Sequence, residues 1–251
     1  MPDEAIDQLS PDQRAAVVHA EANRSAFADR IGQEARQQQA AAEQAHVANL
    51  RAVVDREAGN LPPEARRLTE SVRQLVTEAD KIVQEVGKAR ADVTIPQETR
   101  EQRAEDLGIV GQAKIEQLRD AALTEVEVSR AKLTTSALPS PSGDAEMTAR
   151  EDAALTLDAA ADPLSGLERL ARDNDPNVRA LAAGAWGRRR LEAAGIPSPD
   201  TAHAAVITQA LHYTAEHGTG RRQAAAQAAL RLDRKATAAA SMYAAYRLGQ
   251  L

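Results

Sequence analysis

Histidine is the side chain in this sequence best suited to metal binding or to acid–base chemistry near neutral pH. Three of the five histidines, His203, His212 and His217, fall close together in the C-terminal half. A metal site on a helix typically uses two ligands four residues apart, with a carboxylate nearby. His212 and His217 are five residues apart and therefore lie on different faces of a helix. The spacing predicts ordinary surface histidines, and we expect no metal and no cofactor.

The other residue types that catalyse reactions form no recognisable arrangement. The chain has no cysteine, which excludes thiol catalysis, disulfides and cysteine-ligated zinc. It contains no G-x-S-x-G motif, phosphate-binding P-loop or glycine-rich dinucleotide fingerprint. Its carboxylates are scattered between Arg and Lys, which is typical of solvated helix faces. We therefore expect no catalytic residues, and the sequence predicts a protein that is not an enzyme.

Two short basic runs are further candidates for binding. Arg221 and Arg222 open a predicted helix, and helix N-termini attract phosphate. Arg188, Arg189 and Arg190 are consecutive, so they point around most of one helical turn and form no single patch. We interpret both runs as contacts to a partner protein, to acidic helices of this chain or to phosphate. The corresponding alternative function is a nucleic-acid-associated helical module that uses these arginines.

The C-terminal run Met242–Leu248 holds two of the three tyrosines, Tyr243 and Tyr246, beside a methionine and an arginine. Aromatic residues, Met and Arg are enriched at protein interfaces. The run therefore predicts either the last helix of the core or a helix that docks a partner protein.

The elements that carry these residues are predicted to be entirely α-helical. Aromatic residues make up only 2% of the chain, and much of its apolar content is alanine, which favours helices but buries little area. Residues 1–138 carry a net charge of −6 and residues 139–251 a net charge of zero.

The N-terminus is acidic, and the longest uncharged runs are shorter than a membrane span. We expect a cytoplasmic protein without membrane contact, or one within a virion assembled in the cytoplasm.

Residues 1–133 are predicted to form a region of three long helices. The first begins after an N-cap at Ser10, with Pro11 in the first turn, and ends near Gly59. Its length of about 48 residues corresponds to a rod of about 70 Å. A second helix is predicted over 63–92. A third begins at Thr94–Gln97, by the same capping pattern as the first, and runs to Leu133.

The second helix carries a heptad seam, with apolar residues spaced alternately three and four apart from Ala65 to Val93. A stripe this narrow requires a partner helix, in this chain or in another copy. Its bulkier members are the predicted oligomerisation residues: Leu68, Val72, Leu75, Ile82 and Val86. Short loops favour antiparallel neighbours, so we predict an up-down-up three-helix bundle. The alternative is an extended arrangement that pairs only between subunits.

A segment rich in Ser, Pro and Thr, residues 134–144, is predicted to link this region to a C-terminal helical domain over 145–251. The helices of that domain are shorter and separated by regular turns. They are predicted near 145–161, 163–173, 176–194, 200–216 and 221–248.

Residues 167–187 resemble one HEAT-like repeat. In that family a short helix ends in an acidic D-x-D-P turn, here Asp173 to Pro176, and a valine and arginine open a second, alanine-rich helix. Asp175 is expected to cap this second helix, with Pro176 at its first position. The resemblance implies helical hairpins that offer a protein-binding surface.

The general layout is similar to that of phage scaffolding, internal-head and connector-type virion proteins, which combine acidic helical rods with a basic C-terminal docking segment. That resemblance implies a non-enzymatic structural or assembly protein, as a virion or capsid-assembly component. The expected partners are proteins, including other copies of this chain or a larger assembly.

Overall fold

The computed structural model describes residues 11–249 and, except at residues 11–26, 28 and 29, their side chains. The prediction of an all-α fold is confirmed, since the described residues contain helices and no strand. The predicted N-cap Ser10 lies outside the described residues. None of the described helices combines the length and apolarity that crossing a bilayer requires.

The described helices follow one another along the chain with short connections. The N-terminal elements are α1 Pro11–Gly59, a 3-10 helix Pro63–Ala65, α2 Arg66–Ala91 and α3 Gln97–Ala137. The remaining helices are α4 Asp144–Asp158, α5 Pro163–Leu170, α6 Pro176–Ala183, α7 Ala185–Ala193, α8 Pro199–His217, α9 Gly220–Arg231 and α10 Lys235–Leu248.

The chain divides into two compact units between Ala52 and Val53. The described part of the first unit is a single stretch of α1. The second unit, Val53–Leu251, contains the other helices. Within it α2 and α3 form an antiparallel hairpin, in which Lys114 of α3 pairs with Glu78 of α2.

The heptad seam forms the core of this hairpin. From Ala65 to Ala89 its members are buried, because α2 packs against α3 on one side and α10 on the other. Val93 is 83% exposed, since α2 ends at Ala91 and the predicted stripe extends two residues too far. Gly111 of α3 lies directly over Ile82, so the two helices approach closely at this level.

In the second unit, α2 and α3 pack with a helix that the sequence did not predict beside them. A bundle of three helices is present, but its third helix beside α2 and α3 is α10 from the C-terminal end of the chain. Helix α9 also packs along α3, and α8 lies between α9 and the pair α6–α7. Contacts therefore cross the predicted boundary at 134–144, and residues from both sides of it share one compact unit.

The predicted linker is shorter than the sequence suggests, because α3 continues through Ala137. Thr135 is accommodated in this last turn by donating its hydroxyl to the carbonyl of Ala131 at 3.0 Å. At the other end of α3 the predicted capping is wrong. Pro96 occupies the N-cap without a side-chain bond, while Thr94 bonds back to Asp92.

Candidate interaction surfaces

The five predicted oligomerisation residues are interior residues of this chain. Leu68, Val72 and Leu75 have no exposed area, Ile82 is 5% exposed and Val86 1%. Their partners are α3 and α10, so the seam is already filled by the chain itself. As folded here, these side chains offer no surface to another copy.

Tyr243 also belongs to the interior. Its side chain is 1% exposed, and its hydroxyl donates to Oδ1 of Asp80 on α2 at 2.5 Å. Arg247, one turn further along α10, donates to the same oxygen at 3.0 Å. Tyr246 is half-buried on the same helix. Of the two readings of the C-terminal run, the burial of Tyr243 fits the core helix, and its role in docking a partner stays a prediction.

The three consecutive arginines of α7 point in different directions, as their spacing predicts. Arg188 pairs with Glu192 at 3.2 Å and with Asp200 at 2.9 Å. Arg189 donates to the carbonyl of Ala185 at 3.3 Å. Arg190 lies over the Trp186 ring, with its guanidinium carbon 5.1 Å from the ring centroid. Each head group therefore has a different neighbour, and no joint phosphate site is formed.

The second basic run lies beside a polar cluster that the sequence does not single out. Arg179 of α6 is 5% exposed and lies over the ring of Tyr213 of α8. It donates to the carbonyls of Asp173 and Asn174, and so it holds the turn between α5 and α6. Burial lowers the pKa of Arg179, and the positive charge of Arg222 lowers it further. Arg221 is exposed at the start of α9.

This cluster also stabilises the turn from Asp173 to Pro176. Asp175 accepts a hydrogen bond from the backbone N–H of Asn177 at 2.7 Å, with Pro176 at the first helical position. The predicted cap is thus confirmed. Tyr213 donates to Oδ1 of Asn174 at 2.6 Å, which ties the turn to α8. The sequence does place Arg179 four residues after the capping Asp175, which is one helical turn from the cap.

The three C-terminal histidines do not come together. His203 is 9% exposed, and burial is the main reason that its pKa lies below the ordinary value. His212 is exposed. His217 stacks on Tyr213 with ring centroids 4.3 Å apart. Over the described part of the chain, no three His, Cys, Asp or Glu residues are placed to share a metal ion.

A groove of about 620 Å³ runs between α3, α8 and α9. Its walls are mostly alanine, leucine, isoleucine and threonine side chains. Its two charged lining residues, Glu127 and Arg130, are 3.6 Å apart and paired with each other. Arg130 also donates to the carbonyl of Leu232 at 2.9 Å. These charges stabilise the junction of α3 with α9 and are engaged there.

A long accessible helical surface belongs to α1. No residue from Arg30 to Ala52 is buried. Phe27 is 63% exposed and Ile31 50%. Large apolar side chains are therefore displayed on a helix that does not bury them within its own unit.

Comparison of the chain with protein-family models, with curated proteins and with solved structures finds no match.

Proposed function

We propose that this chain is a non-enzymatic assembly protein that acts through protein–protein contacts made by α1. The partner is another protein surface, on a further copy of the chain or on a larger assembly. A virion or capsid-assembly component is the specific form of this role that the helical layout resembles.

One observation carries the proposal, the exposure of Phe27 and Ile31 on α1, together with the absence of any buried residue among the described side chains from Arg30 to Ala52. Helices depend mainly on tertiary packing of an apolar face for their stability in water. Full burial of a Phe or Ile side chain contributes about 1.5–3 kcal/mol. A protein partner that covers this face would supply the packing that the helix lacks in its own unit.

The alternative role in nucleic-acid binding has weaker support. Arg188 is neutralised by two carboxylates, and Arg190 is engaged with Trp186. Phosphate contacts require arginines that reach the backbone together and make binding strongly salt-dependent. Salt-sensitive binding of a DNA or RNA duplex that is lost in Arg221→Ala/Arg222→Ala would favour this alternative over the proposal.

The proposal is tested by affinity capture of the tagged full chain from cells that also express its neighbouring genes. We expect a stoichiometric protein partner with the native chain and its loss with Phe27→Asp/Ile31→Asp. The matched control is Leu155→Asp, because Leu155 is 71% exposed on α4 and lies outside α1. Equal capture by all three chains would contradict the proposal, as would a strictly monomeric chain that captures nothing.

A further inference from the structure

We propose that a phosphate group binds between Arg179 of α6 and Arg222 of α9, at the N-terminal end of α9. The phosphate is either the free ion or a small monoester. The site lies within the second unit, so the inference is independent of the contacts proposed for α1. It depends on a buried guanidinium with unused donors, a second guanidinium beside it without an ion pair, and the helix end that carries the second one.

The guanidinium of Arg179 has more donors than the chain satisfies. Its Nη1 atom donates to the carbonyls of Asp173 and Asn174, and its central carbon lies 5.1 Å from the centroid of the Tyr213 ring. Its Nε atom is buried without a hydrogen-bond partner, and Nη2 has no acceptor among the described residues. Nε and Nη2 form an edge with which arginine can bind a carboxylate or a phosphate through two parallel bonds.

The positive charge of Arg179 also lacks a counter-ion in direct contact. The residue is 5% exposed, and a buried charge is costly unless an opposite charge and hydrogen bonds accompany it. Asp173 and Asp175 are close enough for their charges to act on it. Their carboxylates instead accept backbone N–H bonds, at 2.8 Å from Asp175 and at 2.7 Å from Asn177. The described part of the chain therefore leaves this guanidinium without an ion pair.

Arg222 brings a second positive charge to the same place. Burial is the main cause of the lowered pKa of Arg179, and the charge of Arg222 lowers that pKa further. Arg222 is half-buried, and it forms no hydrogen bond or ion pair with any residue that the structure describes. Two neighbouring guanidiniums repel each other. An oxyanion bound to both would replace this repulsion with two attractions.

The N-terminus of α9 adds a third attraction for an anion. Arg222 lies in the first turn of this helix, and Thr219 at the N-cap makes no side-chain hydrogen bond to it. The N–H groups of a first turn and the helix dipole both favour a negative group. Arg221 is exposed beside them, so the site is open to solvent on this side. Two guanidiniums and a helix end match a phosphate, whose charge is close to −2 at neutral pH, better than a singly charged carboxylate.

Urea unfolding of the full chain at neutral pH tests the site, with sodium phosphate compared against sodium chloride at equal ionic strength. A ligand that binds only the folded state raises the free energy of unfolding as its concentration exceeds its Kd. We expect this rise in the native chain, and a phosphate affinity at least about tenfold weaker in Arg222→Gln. The matched control is Arg231→Gln, which should respond like the native chain, because Arg231 is exposed at the opposite end of α9.

Arg222→Gln is the informative variant, because a substitution of Arg179 would also remove the bonds that hold the turn before α6. In chloride alone, Arg222→Gln should be at least as stable as the native chain, since it removes the repulsion from Arg179. A marked loss of stability in chloride would show that Arg222 has a structural partner in the chain, and would overturn the inference. Phenyl phosphate then distinguishes the two sources. Tighter binding than that of inorganic phosphate indicates a monoester, and weaker binding indicates the free ion.

Three further results would overturn the inference. Equal stabilisation of all three chains by phosphate would reflect the general effect of this salt on proteins. Equal stability of the native chain in phosphate and in chloride would show that no phosphate binds. Binding of a DNA duplex that depends on Arg222, without a response to inorganic phosphate, would assign this arginine to the nucleic-acid alternative.

Discussion

Tyr243 donates a hydrogen bond of 2.5 Å to Asp80, a residue 163 positions earlier in the chain. Arg247 donates to the same carboxylate oxygen at 3.0 Å. Two bonds to an ionised acceptor therefore join α10 to α2 in a partly buried site, where such bonds are stronger than neutral ones. This contact connects the predicted coiled-coil region with the predicted C-terminal domain.

Removal of the Tyr243 hydroxyl should destabilise the second unit. Tyr243→Phe keeps the buried ring and removes the hydroxyl that donates to Asp80. Hydrogen bonds to charged groups contribute about 1.5–3 kcal/mol, and we expect a loss of about 1–2 kcal/mol because Arg247 still satisfies the carboxylate. Urea unfolding followed by helical circular dichroism measures the change.

The control for this variant is Met242→Leu, since Met242 precedes Tyr243 on α10 and is 64% exposed. Its effect on the free energy of unfolding should be within about 0.5 kcal/mol. Equal stability of Tyr243→Phe and the native chain would show that the hydrogen bond contributes nothing.

Glycine at position 111 should be required for full stability, because α2 and α3 approach closely there. A Cβ at this position would lie 2.5 Å from Cγ2 of Ile82, and Ile82 has little rotamer freedom in a helix. Overpacking of this kind costs about 1–3 kcal/mol, and the helix-propensity gain of Gly→Ala, about 1 kcal/mol, offsets only part of it. Thermal unfolding of Gly111→Ala should therefore show a net loss of stability.

Gly108→Ala is the matched control, because it lies one turn away on α3 with nothing within 4 Å of a Cβ. It should stabilise the chain by up to about 1 kcal/mol through helix propensity. Equal stabilisation by both substitutions would contradict the conclusion that Ile82 leaves no room for a Cβ at position 111.

The sequence predicted helix positions well where local signals decide them. The seam from Ala65 to Ala89 and the N-cap at Asp175 both follow from residue type and spacing, and the structure contains both. Helix ends were less predictable when tertiary packing decides them. The predicted helix over 176–194 breaks at Gly184, and the one over 221–248 breaks after Arg231.

The sequence pattern of α2 does not predict which helix covers its apolar stripe. A heptad seam indicates that another helix must pack against it, but α3, α10 or a second copy of α2 would each cover it equally well. Tyr243 and Asp80, whose hydrogen bond joins α10 to α2, are far apart in sequence. Likewise, the role of Arg179 depends on Tyr213 of another helix, which spacing along one helix does not reveal.

The free energy of unfolding should decrease at acidic pH because of His203. Burial lowers its pKa in the folded chain, whereas in the unfolded chain the group titrates near its ordinary value of about 6.5. Below that value the unfolded chain binds the proton first. The stability that neutral His203 contributes to the folded chain is therefore fully present above about pH 6.5. It declines as the pH falls from there to the lowered pKa of His203 in the folded state.

The substitution His203→Gln should flatten this dependence of the urea midpoint on pH between about pH 7 and 5. His212→Gln is the control for the substitution itself, because His212 is exposed on the same helix. Identical slopes for both variants would show that His203 is not the group responsible.

The cap at Asp175 should contribute to the hairpin of α5 and α6. Asp175→Ala leaves the backbone N–H of Asn177 without its side-chain acceptor and should cost about 0.5–2 kcal/mol. Asp175→Asn should retain most of the stability, because Asn accepts the same bond and caps equally well. Denaturant unfolding compares the two variants. A loss of the same size in both would indicate that the charge of Asp175, close to the buried guanidinium of Arg179, matters more than its capping bond.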